Sequence, residues 1–511
     1  MNVLYNTSIA DPFVKVAQKL RDEHGYEPVY WIGFDYDHSD EIVPQLFPQC
    51  VYQTYANAWK GIFSEDIQKE AVDCYLDIDF LNKYARYELQ AFTMMNRLDY
   101  DQYSFNLMER ERHFLKLLKS WMVVLDKYKI KLVVSSVNPH RVYDYVLYLL
   151  CRERNIPFLC FQYTLCPART FVSDNVYSIG DIFDNSYRKY LSKDDLSLDS
   201  LPVDIQNRYR QVLKSYKEAQ PLSVKKNLDF DRKYKGVFSI AYQHIRKYPS
   251  RLLPIISKGY VISTMKKNRK YSLEDSRFNV WDALFLPRKK MSLNKALHKL
   301  YSSLSTMPSK GEKYIFFPLH YQPEATTSPA GDVFVNQLLC IETLLRNTPE
   351  DVYIYVKEHP SQFQGHLIGQ TNRFKDFYLD LIKNKRVRFM PLDLDSFAIM
   401  KDAVAVATVT GTIGLEASLH KKPVIVFGMV WYEKMPGVLR ITDSLSAKGI
   451  MSFVDNYIFD EHKVLAYLSS VADNTIMAYH YKGEKERTNI GEETCVNNLV
   501  SEIIKYVGKR D

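Results

Sequence analysis

Between Lys313 and Gly428 short apolar runs alternate with amphipathic stretches: YIFFPL, DVFVNQLLCIETLLRN, VYIYVKEH, FKDFYLDLIKN, VRFM, DSFAIMKDA, VAVATV, IGLEASLH and PVIVFG. The runs are short and rich in Val, Ile, Phe and Tyr, as strands are, and the longer stretches repeat their apolar residues at helical spacing. Strand and helix taking turns at this spacing specify a parallel sheet with helices on both faces. Five strands are expected in this half of the chain. The beginning repeats the pattern with NVLY, a helix opened by Asp11 and Pro12 and closed at Gly25, and then PVYWIGF. A further unit runs through the amphipathic ERERHFLKLLKSWMVVLDKYK, the strand KLVVSS, the helix VYDYVLYLLCRERN and the strand IPFLCFQ.

The fold class this predicts is α/β, with two Rossmann-like domains separated by a helical basic insertion. The boundaries fall at 1–185 for the first domain, 186–307 for the connector, 308–460 for the second domain and 461–511 for C-terminal helices packing across both. With 511 residues, 46% of them hydrophobic, the chain is long enough for two cores. Its seven cysteines form no CxxC pair and no zinc spacing, so a reducing compartment and no metal are expected. MNVLYNTSIADPFVKV lacks the basic start and long apolar run of a secretory signal, and no stretch reaches the roughly 18 uncharged apolar residues of a membrane span. A cytoplasmic location is therefore expected. The net charge of +8 sits in one segment, since residues 221–300 carry 19 Lys and Arg against 5 Asp and Glu. This segment suits either a solvated helical face or peripheral contact with the anionic inner face of a membrane. Nucleic acid is not expected as a partner.

In an open parallel sheet, ligands bind beyond the carboxyl ends of the strands. Three loops in the second half end strands in this way and are rich in hydrogen-bonding groups. The first is FFPLHYQPEATTSPAGD, which offers His320 and Glu324 as candidate catalytic groups. The second is VKEHP, where Pro360 keeps His359 out of the following helix, so that His359 and Lys357 can meet a phosphate. The third, TVTGTIGLEA, turns from a strand straight into a helix. Thr410, Gly411, Thr412 and Gly414 there offer backbone N–H groups and a positive helix end to an anion. Glu416, one turn further on, is placed to accept from ribose hydroxyls. In the first half, His140 and Arg141 follow the strand KLVVSS and are expected on an acceptor side, with Asn6 or Ser8 nearby. Trp431, Tyr432 and Met435 either line the cleft or pack in the core. Asp393 and Asp395 resemble a DxD string, but Asp395 reads better as a helix N-cap.

Taken in order, HxQPE, KEHP and TGTxGLEA resemble the bacterial capsule polysaccharide synthesis group related to the Kdo transferases. The resemblance covers about Lys313 to Gly437. It implies a GT-B-like fold and a glycosyltransferase that takes a nucleotide sugar, in that group a CMP-activated sugar acid, with a glycan or glycolipid as acceptor. It further implies that His359 and Pro360 meet the donor phosphate and that Thr410 to Ala417 cradle the nucleotide. A carboxylate after the first strand of the same domain acts as general base, here Glu324, with His320 competing. No cofactor or metal is implied. A UDP-sugar transferase, an epimerase of the UDP-GlcNAc 2-epimerase kind and a non-catalytic capsule-assembly protein are the rival readings. Glu324, His359 and Thr410 are expected to line one cleft between the domains.

Overall fold

The computed structural model describes residues 1–34, 37–99, 105–164, 169–214, 280–364, 369–485 and 488–508. Most of the basic segment, including Lys266, Lys267, Arg269 and Lys270, lies outside the described residues, and with it the expected membrane contact. Among the described residues no helix is long and apolar enough to cross a membrane.

The first sheet contains β1 (Asn2–Asn6), β2 (Glu27–Gly33), β3 (Val51–Thr54), β4 (Leu132–Ser135), β5 (Phe158–Tyr163) and β6 (Arg169–Ser173). Its order is β3-β2-β1-β4-β5-β6, parallel from β3 to β5, with β6 antiparallel to β5. The second sheet contains β7 (Lys313–Pro318), β8 (Val352–Lys357), β9 (Val387–Phe389), β10 (Ala405–Thr408), β11 (Val424–Val426) and β12 (Val438–Arg440). Its order is β9-β8-β7-β10-β11-β12, parallel throughout. Both sheets therefore follow the doubly wound strand order, and each reverses direction at one switch point, between β1 and β4 and between β7 and β10. β12, with three half-buried residues, is a strand more than the five that the apolar runs predict.

The central strands are apolar on both faces because helices cover both. Every residue of β4 and β10 is buried. On one side of the first sheet, the Leu107–Lys127 helix packs Phe114, Leu117, Leu118, Trp121, Val124 and Leu125, all with helical spacing, onto the core. It begins where Asn106 and Glu109 cap each other's backbone N–H groups. On the other side lies the Phe13–His24 helix.

Among the described residues the chain crosses between domains twice. After β6 it passes to the second domain. The Glu461–Asp473 helix then packs against the Asp184–Leu191 helix, and the Tyr467 hydroxyl donates to Trp431 O at 2.7 Å. Beyond it β13 (Ile476–Met477) joins the first sheet antiparallel to β6, and the Glu492–Val507 helix lies on the Phe13–His24 helix. Leu499 and Ile503 of this last helix are fully buried in the same cluster as Val3 and Tyr5. Replacing Leu499 with alanine is expected to lower the unfolding free energy by about 2–5 kcal/mol in urea denaturation. An unchanged midpoint would detach this helix from the first core.

Candidate active site

At the second switch point, His320 follows β7 and Thr408 ends β10. The Thr410 N–H and the Thr408 hydroxyl both point at His320 Nε2, at 3.2 and 3.1 Å. Accepting these bonds makes Nε2 the unprotonated nitrogen, and burial pushes the ring down to about 3, so it stays neutral. The His320 backbone is equally fixed: its N–H donates to Gln337 Oε1 at 2.7 Å, and its carbonyl accepts from Gln337 and Arg373. His320 is thus a brace for the turn, and its depressed basicity and occupied nitrogen correct its reading as a catalytic base.

The turn is held from two more sides. Thr408 Oγ1 accepts the Gly411 N–H at 3.1 Å, and the Tyr432 hydroxyl donates to Gly411 O. Gly414 lies against the Tyr432 ring so closely that a Cβ would collide with it. The expected cradle therefore shifts along the chain. The N–H groups of Thr410 and Gly411 are engaged internally, which leaves those of Thr412 and Ile413 at the start of the Thr412–Leu419 helix to meet an anion. The Thr410 hydroxyl is buried without a hydrogen-bond partner and adds a side-chain group to the same turn. Glu416, 2% exposed, accepts from the Thr412 hydroxyl at 3.1 Å and faces Arg208 at 3.9 Å. Burial raises its carboxyl to about 7. Trp431, Tyr432 and Met435 belong to the core, which settles that pair of alternatives.

Behind the KEHP loop, Glu358 is 1% exposed. Its carboxylate accepts from Arg373 Nε, the Tyr378 hydroxyl and the His359 N–H, each at 2.8 Å. His359 caps the short Pro360–Phe363 turn, with Nδ1 accepting the Ser361 N–H at 3.1 Å. Nε2 then carries the proton and is the nitrogen available to a ligand. Burial lowers the ring to about 4, so His359 offers a hydrogen bond and not a positive charge. Lys357 does not join it. Its ammonium donates to Leu394 O and to Ser396 Oγ at 3.0 Å. That places it under the start of the Ser396–Asp402 helix, whose N-cap is Asp395, and burial lowers it to about 8. The expected phosphate contact from Lys357 is corrected accordingly.

Glu324 lies in the loop after β7. Gln362 holds that loop by accepting the Gln322 N–H at 3.0 Å and donating to Gln322 O at 3.2 Å. Burial raises the Glu324 carboxyl to about 7, opposed by the charge of Arg97. Arg97 comes from the first domain, just beyond the Ile78–Met95 helix, and Gln90 of that helix donates to Ser328 across the gap. Arg97 Nη1 donates to His140 O at 3.3 Å, and His140 Nδ1 donates to Asn138 O at 2.7 Å, leaving Nε2 as an acceptor. Arg141 lies 4.2 Å above the Tyr55 ring. Asp144 accepts the backbone N–H groups of His140 and Arg141.

Of the first-domain groups Arg97 is the one that acts on Glu324, and it clusters with His140 and Arg141. Asn6 is turned inward, bonded to Ser135 Oγ and the Tyr143 hydroxyl, and Ser8 is held by Ser136 and His480 O. No motif marks Arg97 or Arg373, because both act through partners distant in the chain. Among the described residues no cluster of three His, Cys, Asp or Glu is placed to hold a metal ion. Arg373→Ala is expected to cost about 3–5 kcal/mol of stability, since it strands the buried Glu358 carboxylate. A loss under about 1 kcal/mol on chemical denaturation would show that the loops stand without the pair.

Comparison with known proteins bears on this half of the molecule. Residues 310–477 match the family described as "Capsule polysaccharide biosynthesis protein". The "Capsule polysaccharide modification protein LipA" of Neisseria meningitidis serogroup A is 27% identical over 125 residues, which is 24% of this chain and 16% of that protein. The match therefore spans about a sixth of the relative's length. Among solved structures, the beta Kdo 2,7 transferase of Thermosulfurimonas dismutans KpsC is 17% identical, covering 44% of this chain and 62% of its own, with a TM-score of 0.24. The UDP-GlcNAc 2-epimerase of Methanocaldococcus jannaschii is 12% identical, covering 93% and 98%, also with a TM-score of 0.24. The segment that carries the His320, His359 and Thr410 loops is the one the family model matches, and the similarity to the capsule polysaccharide biosynthesis proteins is confined to it.

Proposed function

We propose that this chain is a glycosyltransferase of capsule or other surface polysaccharide synthesis. In this reading it moves a sugar from a nucleotide donor, a CMP-activated ulosonic or nonulosonic acid such as Kdo, to a glycan or glycolipid acceptor at the cytoplasmic face. The observation that carries the reading is Glu324. It is a partly buried carboxyl on the second domain that the charge of Arg97 from the first domain reaches, in the same domain as the Thr408–Thr412 turn with its free helix-start N–H groups.

The chemistry follows from those groups. The acceptor hydroxyl attacks the anomeric carbon and gives its proton to the Glu324 carboxylate. A new carbon–oxygen bond forms as the bond to the donor phosphate breaks, and the nucleotide leaves with the electron pair. Negative charge grows on the leaving phosphate, where His359 Nε2–H, the N–H groups of Thr412 and Ile413 and the positive end of the Thr412–Leu419 helix stabilise it. His140 Nε2 accepts from an acceptor hydroxyl on the opposite wall.

Calorimetric titration with CMP and UDP tests the donor. CMP is expected to bind more tightly, and His359→Ala to weaken it by roughly 10- to 100-fold, as the loss of one hydrogen bond to a charged group requires. Preference for UDP would favour a UDP-sugar transferase or an epimerase, and the epimerase would turn over without an acceptor. Glu324→Gln is expected to lower kcat by about a hundredfold or more with nucleotide affinity retained. Because burial raises the Glu324 carboxyl to about 7, the base form is lost as pH falls. Transfer is expected to rise through pH 7 to an alkaline plateau and to drop on the acid side. A rate independent of pH between 6 and 8 would remove Glu324 as the base.

A further inference from the structure

Shielded arginines of this chain have carboxylate partners. Arg373 meets Glu358 at 2.8 Å, Arg110 meets Asp99 at 3.0 Å and Arg169 meets Asp204 at 2.5 Å. Arg97 and Arg141 depart from that pattern. Among the described residues neither forms an ion pair with a carboxylate. Arg97 donates to a backbone carbonyl, and Arg141 lies over the rings of Tyr55, Phe34 and Trp59. The acid beside them, Asp144, is engaged by the backbone N–H groups of His140 and Arg141. Glu324 acts on Arg97 from across the cleft without pairing with it. The two cations repel each other, and burial together with the charge of Arg141 draws the Arg97 guanidinium below its ordinary value. In spite of burial, Tyr55, Tyr143 and the charge of Asp144 hold the Arg141 guanidinium above its ordinary value, so the cost of a shielded charge without a carboxylate partner falls on Arg97. An anion reaching the pair would relieve it, and paired guanidinium forks match the oxygens of a carboxylate or phosphate.

We propose that Arg97 and Arg141 form an anion subsite on the first-domain wall of the cleft, and that it receives the carboxylate or phosphate group of the acceptor. The acceptor is therefore an acidic sugar or a phosphate-bearing glycolipid. Its negative group is held on this wall while its hydroxyl is presented to Glu324. Assigning the anion to the acceptor rests on the transferase reading above; the subsite does not.

The subsite is tested on the full chain by thermal-shift titration with glucuronate, using glucose as the neutral control. Glucuronate is expected to raise the melting temperature of the wild type and of His359→Ala, and glucose to leave it unchanged. Arg97→Gln and Arg141→Gln are expected to weaken the glucuronate response about tenfold. Arg97→Gln without ligand is expected to melt no lower than the wild type, because an unpaired charge is removed. Should it fail to fold, Arg97→Lys serves, keeping the charge without the fork and giving a response between the two. A glucuronate response that survives both glutamine variants, or one that glucose matches, overturns the subsite. In the transfer assay Arg97→Lys is expected to raise the acceptor KM with the donor KM unchanged. A raised donor KM instead overturns the assignment to the acceptor. Arg97-dependent glucuronate binding in a protein that transfers no sugar leaves the subsite standing and defeats the transferase reading.

Discussion

The buried ion pair of Glu358 with Arg373 is the joint from which the second-domain loops hang. One carboxylate oxygen takes the His359 N–H, and the other takes Arg373 and Tyr378. Arg373 reaches on to the His320 carbonyl, and His320 in turn receives the Thr410 N–H. Three loops that end three different strands are thereby tied into one hydrogen-bonded network. A buried pair contributes little net stability compared with an apolar substitute. Here its role is geometric, because it holds His359 Nε2–H and the first free N–H groups of the Thr412–Leu419 helix on one scaffold before any ligand binds. Fixed donors stabilise an anion better than donors that must reorient, which give back part of what they contribute.

The cleft is set by contacts between domains as well as within them. Glu433, buried in the second domain, accepts from Ser178 and from the Ile179 N–H of the first, and it pairs with Arg440, which donates to Tyr177 O at 2.7 Å. Gln90 and Ser328 meet on the side of Glu324. Beside these polar contacts an apolar cluster spans the junction, where Phe171, Ile179 and Phe183 pack with Trp431 and Tyr467.

Both sheets were legible in the sequence because their central strands are continuous apolar runs, and the KEHP and TGT loops because strand ends and helix starts carry recognisable residues. β3, β6, β12 and β13 were not, since runs of two to five residues make little periodic signal and the pairing of the last of them depends on partners far along the chain. Lys357 and His359 are two residues apart and read as partners in the sequence, yet β8 directs the lysine toward Ser396 while the chain bends at Pro360. His320 looked like a base by residue type. Only the approach of the Thr408 hydroxyl and the Thr410 N–H, from a strand that is adjacent in space but distant in sequence, makes it a brace. The wall formed by Arg97 had no signal at all, because an arginine after a helix is ordinary until its missing partner is noticed.

The return of the chain to the first sheet through β13 has a mechanical consequence. Among the described residues two covalent crossings join the domains, one after β6 and one after Asp473, so the line between them acts as the axis of a door hung on two pins. Sliding or full separation would stretch one crossing or the other, while swinging about that line disturbs neither. Any change of angle between the two sheets is then confined to a rotation about that line, whatever the cleft side of the sheets holds.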